Sequence, residues 1–522
     1  MSDDRLVLGV DAGTTRIRAL VFTPDGRLVA EGSRPTEVER PRPGWAEHDA
    51  EALWRAACGA LSDATAKTER PARIRGLAVA SVGEAFVALD RGGRPTCPVI
   101  AWYDERPIAQ LARLASEVGK DRLYALTGLS ADPTFSLCKL LWLKDNAPEA
   151  LARTQLWLNV AHYLAWRLCG VPTADLSLAS RSLALDLHAC RWAEDLIRAL
   201  GLSAAIFAEI RPCGQRLGAV TAEAAAATGL STECVVGIAG HDHLMGALAT
   251  GSLAPGVLLD SMGSAEGLTL ALEASTTEPE LGSRGYSQGV VEVERPVPYV
   301  FGGFPTSGAS VEWFRALFGR AVAHAQLIAE AEEVPPGCHG LTFVPDLRGR
   351  LSPTPDPLAR GAWFGIGADV RRGTLYRAVL EGLAFEARQS VDALTELPGL
   401  PRIEAVRAIG GNSRNRLLLA IKAAVYDRPI AAAAMPEATA LGAALLGGLA
   451  AGVFADLPSA VAGLAQRYST MAPRTEWVER YDAYYRKIYQ PAYGRLRPLH
   501  HAAAALHRPG GTPPGSIETS SA

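Results

Sequence analysis

The chain has 522 residues, enough for more than one domain, and its 48% hydrophobic and 20% charged content is that of a globular protein with material for large cores. A net charge of −3, with lysines and arginines scattered along the chain, gives no basis for a nucleic-acid or anionic-membrane partner. The eight cysteines are widely spaced without a CxxC and read as reduced, buried residues of a cytoplasmic protein; the start, Met-Ser-Asp-Asp-Arg, has no basic region followed by an apolar stretch, so no signal peptide is expected.

Residues 6–22 open with an apolar run that stops at Asp11, turns through 12–16 and resumes to Phe22, which predicts a β-hairpin. Its turn holds a carboxylate (Asp11), a residue free to adopt positive φ (Gly13) and two hydroxyls (Thr14, Thr15). Backbone N–H groups in such a turn form an anion-binding concavity, and a carboxylate beside it can hold Mg²⁺, so the turn suits a metal-bound polyphosphate; an ordinary hairpin turn has the same composition. Trp45 follows in a Pro/Arg-rich loop, Gly44-Trp-Ala-Glu-His-Asp49. Strands are predicted at 74–82 and 86–89, with a turn at 90–94, and Glu84 closes Ser81-Val-Gly-Glu84. Trp102 and Asp104 end a further apolar run in Ala101-Trp-Tyr-Asp-Glu-Arg106. Indole rings on such loops suit the C–H faces of a sugar and carboxylates its hydroxyls, although a core-edge Trp or a surface Asp104–Arg106 pair would read alike. Helical spacing follows Pro107 at 108–118, then recurs at 137–143 and 156–168, and the alternation indicates an α/β class.

A strand at 234–239 runs into Gly240-His-Asp-His243. The carboxylate of Asp242 at a strand end lies at the lip of a sheet, where it can accept the proton of an attacking hydroxyl. The flanking His241 and His243 invite a zinc hydrolase reading, but no third ligand follows at motif spacing, and Asp242 as a plain helix cap needs no chemistry at all. A domain boundary is expected between Gly251 and Pro255, because 257–272 repeats the apolar run, turn and apolar run of 6–22, with Gly263 and Ser264 in its turn. Two such hairpins suggest a duplicated fold that grips a phosphate chain from both sides. Gly410, Gly411 and Asn412 join a strand at 405–409 to a helix at 417–426, a place for close backbone approach or simply a tight turn. Residues 438–455 carry no charge and are long enough for a membrane span, but four glycines among alanines point to a helix buried against a sheet. From His500 the chain becomes rich in Pro, Gly and Ser and is expected to be disordered.

Taken in order, Asp11-Ala-Gly-Thr-Thr15, Gly44 to Asp49, Ala101 to Arg106, Gly240-His-Asp-His243, Ser261-Met-Gly-Ser264, Gly410-Gly-Asn-Ser413 and Glu437-Ala-Thr-Ala-Leu-Gly-Ala-Ala444 resemble the FGGY family of carbohydrate kinases over roughly residues 5–490. Gly361 to Ile366 and Ala378 to Glu381 are similar to its C-terminal signature, with Thr374 departing from it. The resemblance implies an α/β architecture of two ribonuclease-H-like (actin/hexokinase-type ATPase) domains flanking a cleft. Residues 1–252 would carry the sugar site and first phosphate loop, 253–498 the nucleotide site, and 499–522 a disordered tail. It implies ATP and Mg²⁺ as cofactors, with Asp242 catalytic and Asp11 and Asp242 at the metal. Gly13, Thr14, Thr15, Gly263, Ser264, Gly410, Gly411 and Asn412 would hold ATP, and Trp45, Glu84, Trp102, Asp104, Asp242 and His243 the sugar. Gly83, Thr134 and His243 stand where glycerol kinases have Arg, Tyr and Gln, which disfavours glycerol, and the Met-His pair of xylulokinases near 83–84 is absent. Residues 135–187 and Gly240-His-Asp242 are similar to the xylulokinase-like and fuculokinase-like branches. The expected activity is ATP-dependent phosphorylation of a small sugar, first a ketose such as a pentulose, with fuculose, gluconate or a polyol as alternatives. The reading from another class is a non-catalytic, actin/Hsp70-like ATP switch. The expected partner is a sugar or polyol, with neither nucleic acid nor membrane, and a homodimer is compatible with the sequence.

Overall fold

The hairpin at 6–22 forms as strands Leu6–Ala12 and Arg16–Phe22, paired from Val7 opposite Phe22 to Ala12 opposite Ile17. The computed structural model describes residues 4–506 except 320, 398, 435–436 and 466–467. Around the hairpin it builds a six-stranded sheet in the order Arg216–Ala219, Val235–His241, Ile74–Ser81, Leu6–Ala12, Arg16–Phe22, Leu28–Pro35. The second hairpin, Val257–Met262 with Glu266–Ala271, seeds a seven-stranded sheet: Ser287–Glu292, Pro296–Phe304, Glu266–Ala271, Val257–Met262, Ala405–Ile409, Ile430–Ala433, Tyr468–Met471. In each, the first hairpin strand runs antiparallel to its neighbour in the hairpin and parallel to a later strand on its other side, which pairs in parallel with another. The duplication expected from the two hairpins is therefore present, with Ser287–Glu292 as an extra edge.

Parallel strands need cover on both faces, and alternation along Leu6–Ala12 sorts the two covers. Leu6, Leu8 and Val10 face a core shared with helices Ala50–Ala66 and Val160–Cys169. Val7, with Leu20, Phe22, Ala78 and Ala80, faces helices Asp242–Ala249 and Ala438–Ala450, whose other neighbours include Leu259 and Ile409 of the second sheet. The two helices thus lie between the sheets. Close approach explains the glycines: a Cβ on Gly9 would lie 1.7 Å from the Ala440 carbonyl oxygen, on Gly76 2.1 Å from that of Gly447, and on Gly442 2.0 Å from that of Met245. The uncharged run at 438–455 is thus a buried helix with its C-terminal turn, and among the described residues no helix is long and apolar enough to cross a membrane.

Two expectations need correction. Residues 156–168 are not one helix: Leu156–Asn159 pairs as a strand with Phe86–Leu89, and the helix starts at Val160, because a short apolar run fits either period and the free edge of Phe86–Leu89 decides between them. Residues 499–506 of the expected disordered tail continue helix Ala492–Leu506, which is anchored where Tyr493 Oη and His501 Nε2 meet Asp356 Oδ2 at 2.5 and 2.7 Å. Residues 507–522 lie outside the described residues. All eight cysteines are unpaired; Cys138, Cys213, Cys234 and Cys338 are buried, whereas Cys58, Cys97, Cys169 and Cys190 are partly exposed.

Candidate active site

Asp11 and Asp242 end two parallel strands of the first sheet and project from the same edge. Arg18, directly across the hairpin from Asp11, donates to Asp11 Oδ2 at 2.8 Å. Its other terminal nitrogen pairs with Glu437, the residue before the inter-sheet helix. Asp242 opens helix Asp242–Ala249, and its Oδ1 accepts the His243 N–H at 2.7 Å. Burial, and next the facing charge of Asp11, push the Asp242 carboxyl up to about 8. Burial also raises Asp11, with Arg18 pulling it back down. Among the described residues Asp242 has no ion pair with a lysine or arginine, and no group of three or more His, Cys, Asp or Glu could enclose a metal. His241 and His243, with ring centroids 5.4 Å apart, therefore lack the third ligand a zinc site needs. The two acidic groups instead fit Mg²⁺ in its common manner, bound by one or two carboxylates with phosphate and water completing the shell.

The turns of the two hairpins are built from backbone. In the first, Gly13 N–H donates to the Arg16 carbonyl at 3.0 Å, which leaves Thr14 half-buried and Thr15 exposed. In the second, the Gly263 carbonyl accepts from Gly308 N–H at 2.9 Å and the Ser264 carbonyl from Ser307 and Ala309 N–H at 2.9 and 3.1 Å. Helix Gly308–Leu317 thus begins against this turn with its first N–H groups already used, Gly308 and Ala309 on the turn's carbonyls and Ser310 and Val311 on the Ser307 carbonyl at 2.9 and 3.3 Å. Gly410, at φ +93°, packs on the same turn, where a Cβ would lie 2.7 Å from the Met262 carbonyl oxygen. Asn412 Nδ2 reaches Ser307 Oγ at 3.5 Å, and Gly411 faces open space. Gly263, Ser264, Gly410, Gly411 and Asn412 therefore lie together. Behind them Lys422 pairs with both Asp260 (2.6 Å) and Glu266, and Ser307 Oγ donates to Glu266 at 2.7 Å, all of them buried. His243 reaches the second hairpin, its ring 5.3 Å from that of Phe301 and 3.3 Å from where a Cβ on Gly267 would sit, and its charge acts on Asp11 of the first.

Glu84 is a non-glycine residue at φ +62°, a strained conformation held on two sides. The buried Lys139 ammonium donates to its carbonyl at 2.6 Å, and Arg181 Nε to its carboxylate at 2.6 Å. Arg181 is also close enough to Asp242 and His243 to act on their titration. Trp102, 40% exposed, donates its indole N–H to Thr14 Oγ1 at 3.1 Å, and its carbonyl accepts from Thr134 Oγ1 at 2.9 Å, so it touches the turn of the first hairpin directly. Trp45 and Asp104 stand elsewhere. Both Asp104 oxygens are taken by Arg106 and the Ala46 N–H, and Arg106 stacks 3.9 Å over Trp45, which meets Trp142 edge-on. These two residues brace their loops, and Asp104 is linked to Glu84 through the Lys139 charge, which both support.

Arg18, Lys139, Arg181, Ser307 and Glu437 have roles here that the sequence reading did not give them. Ser307 had a readable signal, a Ser-Gly step before an apolar helical run; Arg181 had only a hydroxyl-rich stretch, 173–182, inside apolar surroundings.

Residues 6–249 match the model of the N-terminal domain of the FGGY family of carbohydrate kinases, and residues 267–451 match that of its C-terminal domain. The chain is similar to a glycerol kinase of Nocardia farcinica, 31% identical over 467 residues that cover 86% of this chain and 90% of that protein. It is also similar to a xylulose kinase of Bacillus subtilis, 26% identical over 505 residues that cover 97% and 100%. Among solved structures, a xylulose kinase from Rhodospirillum rubrum superposes with a TM-score of 0.85 at 30% identity, covering 95% of this chain and 100% of that one.

Proposed function

The chain belongs to the FGGY family of carbohydrate kinases and is a phosphotransferase with an alcohol group as acceptor, and we propose that it transfers the γ-phosphoryl group of ATP to a hydroxyl of a ketose of the pentulose class. The observation that carries this is Asp242, opposite Asp11 and linked through His243 to the second phosphate hairpin. Phosphoryl transfer asks mainly for positioning and charge stabilisation, which fits a site made of two backbone turns and one base. Asp242 takes the proton of the acceptor hydroxyl as its oxygen bonds to the γ-phosphorus and the bond to the β–γ bridging oxygen breaks, releasing ADP. Its bond from the His243 N–H fixes which oxygen remains free for that proton. Arg18 keeps Asp11 oriented, and the backbone N–H groups of the second turn hold the phosphates. Asp11 and Asp242 would hold Mg²⁺, which would supply charge neutralisation to the phosphoryl oxygens. We divide the chain at about residue 252 into two domains whose cleft closes over both substrates and excludes water.

A pentulose is supported by the relatives named xylulose kinase, and Gly83 and Thr134 weigh against a triol. A polyol is the second reading, supported by 31% identity to a glycerol kinase and by Glu84 in the pocket. The test is ADP release with ketopentoses, deoxyketohexoses, aldonates and polyols. A ketopentose should raise turnover at least about 100-fold over the acceptor-free rate. Highest kcat/KM with glycerol would select the polyol reading, and no stimulation by any acceptor would select the ATP switch.

A further inference from the structure

Glu84 and Arg181 form a buried ion pair with more hydrogen-bonding capacity than the protein uses. They are 97 residues apart, 6% and 8% exposed, and joined by a single bond from Arg181 Nε to Glu84 Oε1. A guanidinium also has two Nη groups, and a carboxylate a second oxygen. Among the described residues neither Arg181 Nη group nor Glu84 Oε2 has a hydrogen-bond partner in the protein, and none of these atoms is fully sealed from solvent. The pair is also fixed in place. Phe135 and Phe301 lie 5.1 and 5.7 Å from the guanidinium, Lys139 holds the Glu84 carbonyl, and Glu84 keeps its strained φ. Gly83 keeps the approach clear, since a Cβ there would press on the His241 ring at 3.0 Å and lie 3.5 Å from Arg181 Cγ.

We propose that Arg181 is a specificity-determining residue of the acceptor pocket: its Nη groups and the free Glu84 oxygen read neighbouring hydroxyls of an uncharged polyhydroxy substrate, and the mutual neutralisation of the pair turns away a sugar acid. This rests on the kinase reading above. A hydroxyl satisfies both partners at once, donating to Glu84 and accepting from Arg181, whereas a substrate carboxylate meets the like charge of Glu84 and must break an existing buried pair to reach Arg181. The planar fork matters as much as the charge, so lysine is not an equivalent.

The experiment measures KM and kcat for the acceptor and for ATP, with melting temperature as a check on folding. Arg181→Lys should raise the acceptor KM about tenfold or more and leave the ATP KM within about twofold. Arg181→Met with Glu84→Gln, which leaves no unpaired buried charge, should fold and lose about 100-fold in acceptor kcat/KM. Glu84→Gln alone frees the Arg181 charge and should raise turnover of aldonates relative to the neutral acceptor about tenfold. An unchanged acceptor KM in Arg181→Lys, or an unchanged aldonate ratio in Glu84→Gln, overturns the proposal while the kinase reading stands. A wild-type enzyme without acceptor-dependent turnover overturns both. Should Arg181→Lys not fold, the double variant and Glu84→Gln decide.

Discussion

Asp242 is asked to be a base in a setting that resists its ionisation, with burial and Asp11 pushing its carboxyl up to about 8. Asp242→Asn keeps the shape and the bond from the His243 N–H but has no proton-accepting charge. Turnover should fall by about 10²–10⁴, while nucleotide affinity, read by fluorescence titration, stays within a factor of two to three of wild type. Lys139 shows the opposite kind of strain. Burial presses its ammonium down to about 8 against the support of Glu84, Asp104 and Cys138, and Arg106 adds to the pressure. Between pH 8 and its unfolded value near 10.5 the unfolded chain binds more protons than the folded one, so stability attributable to Lys139 rises with pH across that window. The urea-unfolding free energy of wild type minus that of Lys139→Met should therefore grow from pH 8 to 10.5, by at most about 3 kcal/mol, and a constant difference would contradict the assignment. At this scale legibility followed chain neighbourhood. Asp11 and Asp242 could be read because each adjoins a strand end and a turn, while Arg181 and Lys139 could not, because their meaning lies in contacts to Glu84 across 97 and 55 residues.

The elements divide in the same way. Both hairpins and the Gly410 turn announce themselves through glycines and hydroxyls between apolar runs, and their strands fall within a residue or so of where the sequence puts them. Leu156–Asn159 was hidden because three apolar residues and an asparagine carry no period of their own, and its pairing partner lies 67–73 residues away. The helix Ala438–Ala450 was readable as buried, yet nothing local says that it seats on Gly9 and Gly76. That contact is backbone against backbone on both sides, with no flexible side chain to yield. Gly9→Ala should cost about 3 kcal/mol or more in urea unfolding, whereas the same change at Gly411, which faces open space, should cost under about 1 kcal/mol.

For the whole molecule, two sheets of matching plan share a middle layer of two helices, with the acidic pair at its rim. The duplicated plan was legible because the pattern of 6–22 returns at 257–272; the shared layer was not, because it joins segments more than 400 residues apart. If catalysis includes closure, small-angle X-ray scattering should show the radius of gyration fall by roughly 1 Å when nucleotide and acceptor are both bound, and less with either alone.

The seat of Ala438–Ala450 on the first sheet also sets a timetable for synthesis. The last strand of that sheet, Val235–His241, leaves the ribosome 209 residues before Ala450, so at 5–20 residues per second the sheet waits roughly 10–40 s for its second cover. Through that interval the nascent chain displays a glycine-floored groove at Gly9 and Gly76 beside apolar strands, a surface open to chaperones and to wrong partners. A first half made alone would keep that groove open until the helix Ala438–Ala450 of a second half covered it.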